Sequence, residues 1–331
     1  MKVVPLAIVV VLAGSVMIAA ESTGTGSWKV PRTPDGRPDL QGIWTTQTYT
    51  PLQRPERYAG KELLTEAEAA ELTRVLTQPG IDPLFVAIFG AADEERPNQV
   101  QQRDETHYDN DTWLRTTRPK ALSSLRTSLI TDPSNGRLPP MTPEGQKRAA
   151  ARRAVINLDS HENRPLQERC VAWTHEGPPM MPPPYNDVTQ ILQTPGYVVI
   201  RRELSTNLPR IIPTDGRPHV SERLRQWSGD SRGRWDGDTL VVETMHFNGR
   251  AAIQGASERL HLVERFTRTS DDRIRYTFTV TDPDTWTAPW SAELPMMKSD
   301  GRPFEYACHE GNRGVANILS GARATDRAAG K

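Results

Sequence analysis

Two cysteines are all that this 331-residue chain contains, Cys170 and Cys308, and no C-x-x-C pair of the kind used by zinc ribbons or redox sites occurs. None of the seven histidines has another four residues away, so no helix carries an H-x-x-x-H metal pair. Net charge is absent too. Its 41 basic residues balance 41 acidic ones, which leaves no excess of basic charge for nucleic acid or for an anionic membrane surface. Lysine is scarce beside arginine, in keeping with fixed guanidinium pairs. No solenoid period recurs either. The tetrapeptide Asp-Gly-Arg-Pro starts at Asp35, Asp215 and Asp300, with a variant at Asn135, but the copies stand too far apart for stacked repeats. Asp-Gly supplies a turn and proline stops a ladder, so each copy reads as a tight turn.

Long apolar runs are missing from all but the N-terminus. Val3 to Ala20 is apolar after Lys2, with small residues at Ala19, Ala20 and Ser22, the layout of a secretory signal peptide over residues 1–22. An uncleaved membrane anchor is the alternative, weakened by Pro5, Gly14 and Ser15. Export places both cysteines in an oxidising compartment, where a single Cys170–Cys308 disulfide is the first reading and two buried thiols the second. Residues 23–331 then form a single β-rich domain whose part from about 54 to 160 is helical and rich in loops.

Within that part, "LTEAEAAELTRVL" predicts a helix, with Thr65 and Glu68 at capping-box spacing. Thr142 and Pro143 start a second helix running to about Ala154. Between them, Thr77 to about Arg115 reads as a long loop, a candidate lid that carries His107 and Asp111. Beyond the second helix come "VTQILQ", "GYVVIRREL", "RIIP", "RGRWDGDTLVVETMHF", "LHLVERFTRT", "RIRYTFTVTDP" and "WTAPWSAEL", separated by turn signals. Short β-branched runs at this spacing predict an antiparallel meander that closes as a barrel or stacks as a sandwich.

Three sets of residues carry possible chemistry, and two more offer binding surfaces. "GDSRG" fits the nucleophile-elbow pattern at Ser231, but an elbow needs a helix after the serine and a strand-like run follows here, so a turn entering a hairpin is the better reading. His219, His246, His261 and His309 fall in the β-rich half, matching metal ligands in type but not in spacing. A Cys170–Cys308 bridge draws "ERC" and "CHEG" together. If the bridged segments run antiparallel, Arg169 faces His309 and Glu168 faces Glu310. That cluster is either a polar anchor or a site with His309 as acid or base and Arg169 stabilising an anion. "GPPMMPPPYND" is a stiff segment that offers Tyr185 and Asn186 to a pocket rim. Trp227 and Trp235 offer stacking surfaces, although tryptophans of β proteins, Trp286 and Trp290 among them, more often fill cores.

Together "ERC", "GPPM", "QILQTPGYVVI", "RIIPTDGRPH", "GDSRGRWDGDTLVVET", "HLVERFTR" and "EYACHEGN" resemble a family of exported, uncharacterised proteins common in soil bacteria such as acidobacteria, from about Trp28 to about Ala322. The resemblance implies no particular reaction, and "TMHF" departs from the Asn-Phe expected at that strand end. "GIW" at Gly42–Trp44 ahead of a meander is similar, more faintly, to the calycins, which implies a lipocalin-like barrel with a cup for a small ligand.

The expectation is therefore a mainly-β, calycin-like barrel that binds a small organic molecule. It acts by cofactor-independent acid-base chemistry, as a lyase, isomerase or hydrolase, with His309 and Arg169 foremost and Asp230, Arg232, His219 and Glu310 second. A non-catalytic binding protein is one alternative. A metal-dependent hydrolase on His219, His261 and His309 is the other.

Overall fold

The computed structural model describes residues 28–76, 122–154, 160–173, 176–182, 187–203, 209–250, 253 and 255–330. The proposed signal peptide, the long loop with His107 and Asp111, and the pair Tyr185 and Asn186 lie outside the described residues.

Alternation builds the strands, because a period of two puts every second side chain on one face. In β8 (His261–Ser270), Leu262, Glu264 and Phe266 are buried. Ile274, Tyr276, Phe278 and Val280 are buried in β9 (Arg273–Thr281), and Trp290, Ala292, Leu294 and Met296 in β10 (Trp290–Lys298). With β6 (Asp230–Asp236) and β7 (Thr239–Met245) these form a five-stranded antiparallel meander in chain order. A second meander holds β3 (Thr189–Thr194), β4 (Tyr197–Arg202) and β5 (Arg210–Pro213). β1 (Gly42–Thr45) joins the two, pairing with β3 on one side and β10 on the other. β2 (Ile130–Asp132) adds to β10 off this path.

The order β5-β4-β3-β1-β10-β9-β8-β7-β6 rolls into a nearly closed nine-stranded barrel, so of the two predicted architectures the barrel is the one formed. No ladder joins its end strands, β5 and β6, among the described residues. Gly233 of β6 lets them approach. A methyl group there would lie 2.9 Å from Thr214 Cγ2 and 3.0 Å from Ile212 Cγ2.

Side chains fill the barrel. Trp44, Tyr276, Phe266, Phe278, Trp290 and Met180 are all buried in one core cluster. A barrel of about eight strands has an interior just wide enough for such filling. The apolar cup expected from the calycin likeness is thus occupied by the protein itself among the described residues. "GPPMM" lends Met180 to this core, with its backbone N–H donating to the Tyr276 hydroxyl at 2.9 Å, so this residue plugs the barrel.

Both predicted helices form, α1 (Glu66–Leu76) and α2 (Pro143–Ala154). The capping box is present, with Glu68 N–H donating to Thr65 Oγ1 at 3.3 Å and Thr65 N–H to Glu68 Oε2 at 2.8 Å. A third helix, α3 (Gly314–Ala328), was not expected. Its half-buried Val315, Ile318 and Leu319 and buried Ala322 have the helical spacing that could have revealed it. Cys170 and Cys308 are bridged, their Cα atoms 5.7 Å apart. Both sit in turns, not strands, so the antiparallel facing of Arg169 with His309 and Glu168 with Glu310 does not occur.

Candidate active site on the outer face of β6 to β8

Register decides which polar side chains meet. Asp230 stands opposite Met245, Arg232 opposite Glu243, and Glu243 opposite Val263, so His261 is the diagonal neighbour of Glu243 on the face turned away from the core. The β5–β6 connection folds back over this corner. Gln226 N–H donates to His246 O at 2.9 Å and Asn248 N–H to Gln226 O at 2.8 Å. Gly229 closes the fold-back at φ +68°, where a Cβ would stand 2.8 Å from Met245 O; only glycine suits both constraints.

This connection delivers His219. Its Nδ1 lies 2.8 Å from Asp230 Oδ2, which also accepts from Val220 N–H at 3.1 Å, while Asp230 Oδ1 accepts from Arg232 Nη1 at 2.7 Å. Asp230 is buried and surrounded by donors, so its carboxylate is an acceptor and the proton of His219 belongs on Nδ1. The lone pair is therefore on Nε2. That atom is buried without a hydrogen-bond partner and stands 3.7 Å from Glu243 Oε2, outside bonding distance. Glu243 Oε1 is 2.7 Å from His261 Nε2. The hydrogen bond from His261 holds the Glu243 carboxyl below its ordinary value, so it is a carboxylate at neutral pH. His246 follows β7 with its ring edge-on to His219, centroids 5.8 Å apart, and its Nδ1 is also buried and unpartnered.

The other nominated residues fare differently. His309 and Glu310 are exposed and their side chains have no hydrogen bond or ion pair among the described residues, while Arg169 donates to Glu162 O at 3.3 Å and Glu168 pairs with Arg164. Beside the disulfide, Asn312 Nδ2 donates to Cys170 Sγ at 3.1 Å. Among the described residues no three His, Cys, Asp or Glu side chains are arranged to hold a metal, and His309 does not join His219 and His261. Trp227 and Trp235 are half-buried, and Trp235 packs against the core; Trp286 and Trp290 are core residues in edge-on contact.

Ser231 points into the barrel. It accepts from Arg210 Nε at 2.9 Å and shares a hydrogen bond of 3.0 Å with Thr244, and β7 follows it, so no nucleophile elbow exists. Arg210 also donates to Thr244 Oγ1 at 2.8 Å and to both oxygens of buried Glu264, one of them at 3.1 Å. Tyr276 donates to Glu264 Oε1 at 2.7 Å; burial, then the Glu264 charge, push its phenol well above the ordinary value, so it stays a donor. This inner network ties strands together across the seam.

A cleft of about 530 Å³ opens elsewhere, at the β3–β4 turn, lined by Thr33, Asp35, Gln41 and Gln193. None of the residues nominated from sequence lines it. Sequence reasoning passed over Glu243, whose place on the polar face follows from strand period but whose partners depend on register. The chain matches no protein-family model, no curated protein and no solved structure.

Proposed function

We propose that the protein is exported and performs cofactor-independent acid-base chemistry on a small organic molecule at the outer corner of β6 to β8, with His219 in place of His309 as general base. One observation carries this reading: His219 Nδ1 is held at 2.8 Å by a buried carboxylate while Nε2 is left buried and unpartnered. An oriented imidazole with a free lone pair is the geometry of general base catalysis. Arg232 keeps Asp230 in place. Glu243 adds a second ionised group beside the base. The apolar run from Val3 to Ala20 supports export, and the Cys170–Cys308 bridge is compatible with it. Among the described residues no helix is long and apolar enough to cross a membrane.

The test is to incubate natively purified protein with a small-molecule extract of the producing cells and follow the mixture by liquid chromatography and mass spectrometry. Wild type is expected to convert at least one component. His219→Gln is expected to lose that conversion by about 10²- to 10⁴-fold, the usual contribution of a positioned base, with its thermal midpoint near wild type. Saturable retention of a compound without any product would sink the catalytic reading in favour of a binding protein. Equal conversion by His219→Gln would remove this residue from the chemistry.

A further inference from the structure

We infer that His246 is a second proton-transfer residue, which makes the reaction an isomerisation of a carbon acid, a small carbonyl compound bearing an acidic C–H. This rests on the base assignment of His219 and deepens it. Three observations converge on His246. Its Nδ1 is buried and unpartnered, and a buried polar atom left unsatisfied calls for a missing partner. It lies beside His219, the ring centroids 5.8 Å apart and the planes at 75°, so the two orphaned nitrogens belong to one small region. Its backbone is at φ +60°, a conformation unfavourable for residues other than glycine and a few such as asparagine and histidine. Histidine is among the few side chains that tolerate it, and it fixes where the ring can lie.

The two rings divide the proton work. His219 Nε2 takes the proton from the carbon beside the carbonyl: the C–H bond breaks, an N–H bond forms, and the electron pair spreads into the carbonyl. A proton carried on His246 Nδ1 passes to the neighbouring carbon, and the pair returns to form the new C–H bond. No oxidant, reductant or co-reactant is consumed. The cycle leaves His219 with a proton gained and His246 with a proton lost, so both must be restored. Glu243 stands 3.7 Å from His219 Nε2 and 2.7 Å from the partly exposed His261, which gives the His219 proton a path to solvent once the half-exposed Glu243 side chain turns, and solvent returns a proton to His246 to close the cycle.

Deuterium separates the two roles. The same cell extract is incubated in D₂O with wild type, His219→Gln and His246→Asn, and masses are followed for substrate and product. Asparagine tolerates positive φ, so His246→Asn is expected to fold with a thermal midpoint no lower than wild type. Wild type should convert substrate and place deuterium in both species. His246→Asn should still raise the substrate mass by one unit through His219 while forming product at least 100-fold more slowly, and His219→Gln should do neither. Conversion by His246→Asn at the wild-type rate, or loss of exchange together with conversion, overturns the role of His246 alone. Absence of exchange and conversion in wild type overturns the base assignment on which it rests.

Discussion

Glu264 is fully buried, and its charge is tolerable only because Arg210 reaches it from β5 and Tyr276 from β9. Removing one member of a buried ion pair leaves the other uncompensated and costs about 3–5 kcal/mol, whereas replacing both costs far less. Arg210→Met is therefore expected to lose about that much stability in urea unfolding. Adding Glu264→Gln to it should recover a good part, because the amide carries no charge and still accepts from Tyr276. Independent, additive losses in the double variant would mean that the pair is not coupled. Exposed pairs such as Arg217 with Asp215 are close in distance but screened by water, so their loss is expected to change little.

At the scale of elements the seam between β5 and β6 is the weak line of the barrel, since among the described residues no ladder crosses it and side chains hold it. Gly233→Ala would set a methyl 2.9 Å from Thr214 Cγ2, and overfilling of this kind costs about 1–3 kcal/mol. Faster amide exchange in β5 and β6 than in β8 and β9 is expected in this variant; a uniform change would place the closure elsewhere. Strands, turns and caps were legible in the sequence because their signals are local. Thr65 and Glu68 are three residues apart, Asp215-Gly216 marks its own turn with Gly216 at φ +80°, and "RIRYTFTV" alternates residue by residue. The meeting of His219, Asp230, Glu243 and His261 was not legible. It depends on β6–β7–β8 register and on a connection that folds back across Phe247, neither of which spacing along the chain reveals. His246 ends β7 at φ +60°, a conformation that asparagine and histidine both accommodate and that the run of strand residues before it does not announce.

For the whole molecule the disulfide joins residues 138 apart in sequence, a loop whose closure is worth about 5 kcal/mol in the chain-entropy model. Its effect should not fall evenly. The segment after β10 meets the barrel through Arg201, which donates to Phe304 O at 3.2 Å, and the stretch ahead of β3 through the edge-on pair of Trp173 and Tyr306. α3 beyond it buries only Ala322. A helix of that length is marginal in water without tertiary packing, so the bridge is the main restraint on where α3 lies. Cys170→Ala with Cys308→Ala is accordingly expected to lower the unfolding midpoint and, under native conditions, to abolish amide protection in α3 while β8 and β9 stay protected. The barrel core does not depend on the bridge for its packing, because its cluster draws on β1 to β5 and β7 to β10, with Trp235 of β6 packed against it and Met180 as plug. If α3 kept its protection in the double variant, its few apolar contacts would suffice to dock it and the bridge would act only on the unfolded chain. If the barrel lost protection together with α3, the C-terminal segment would be part of one cooperative unit with the sheet.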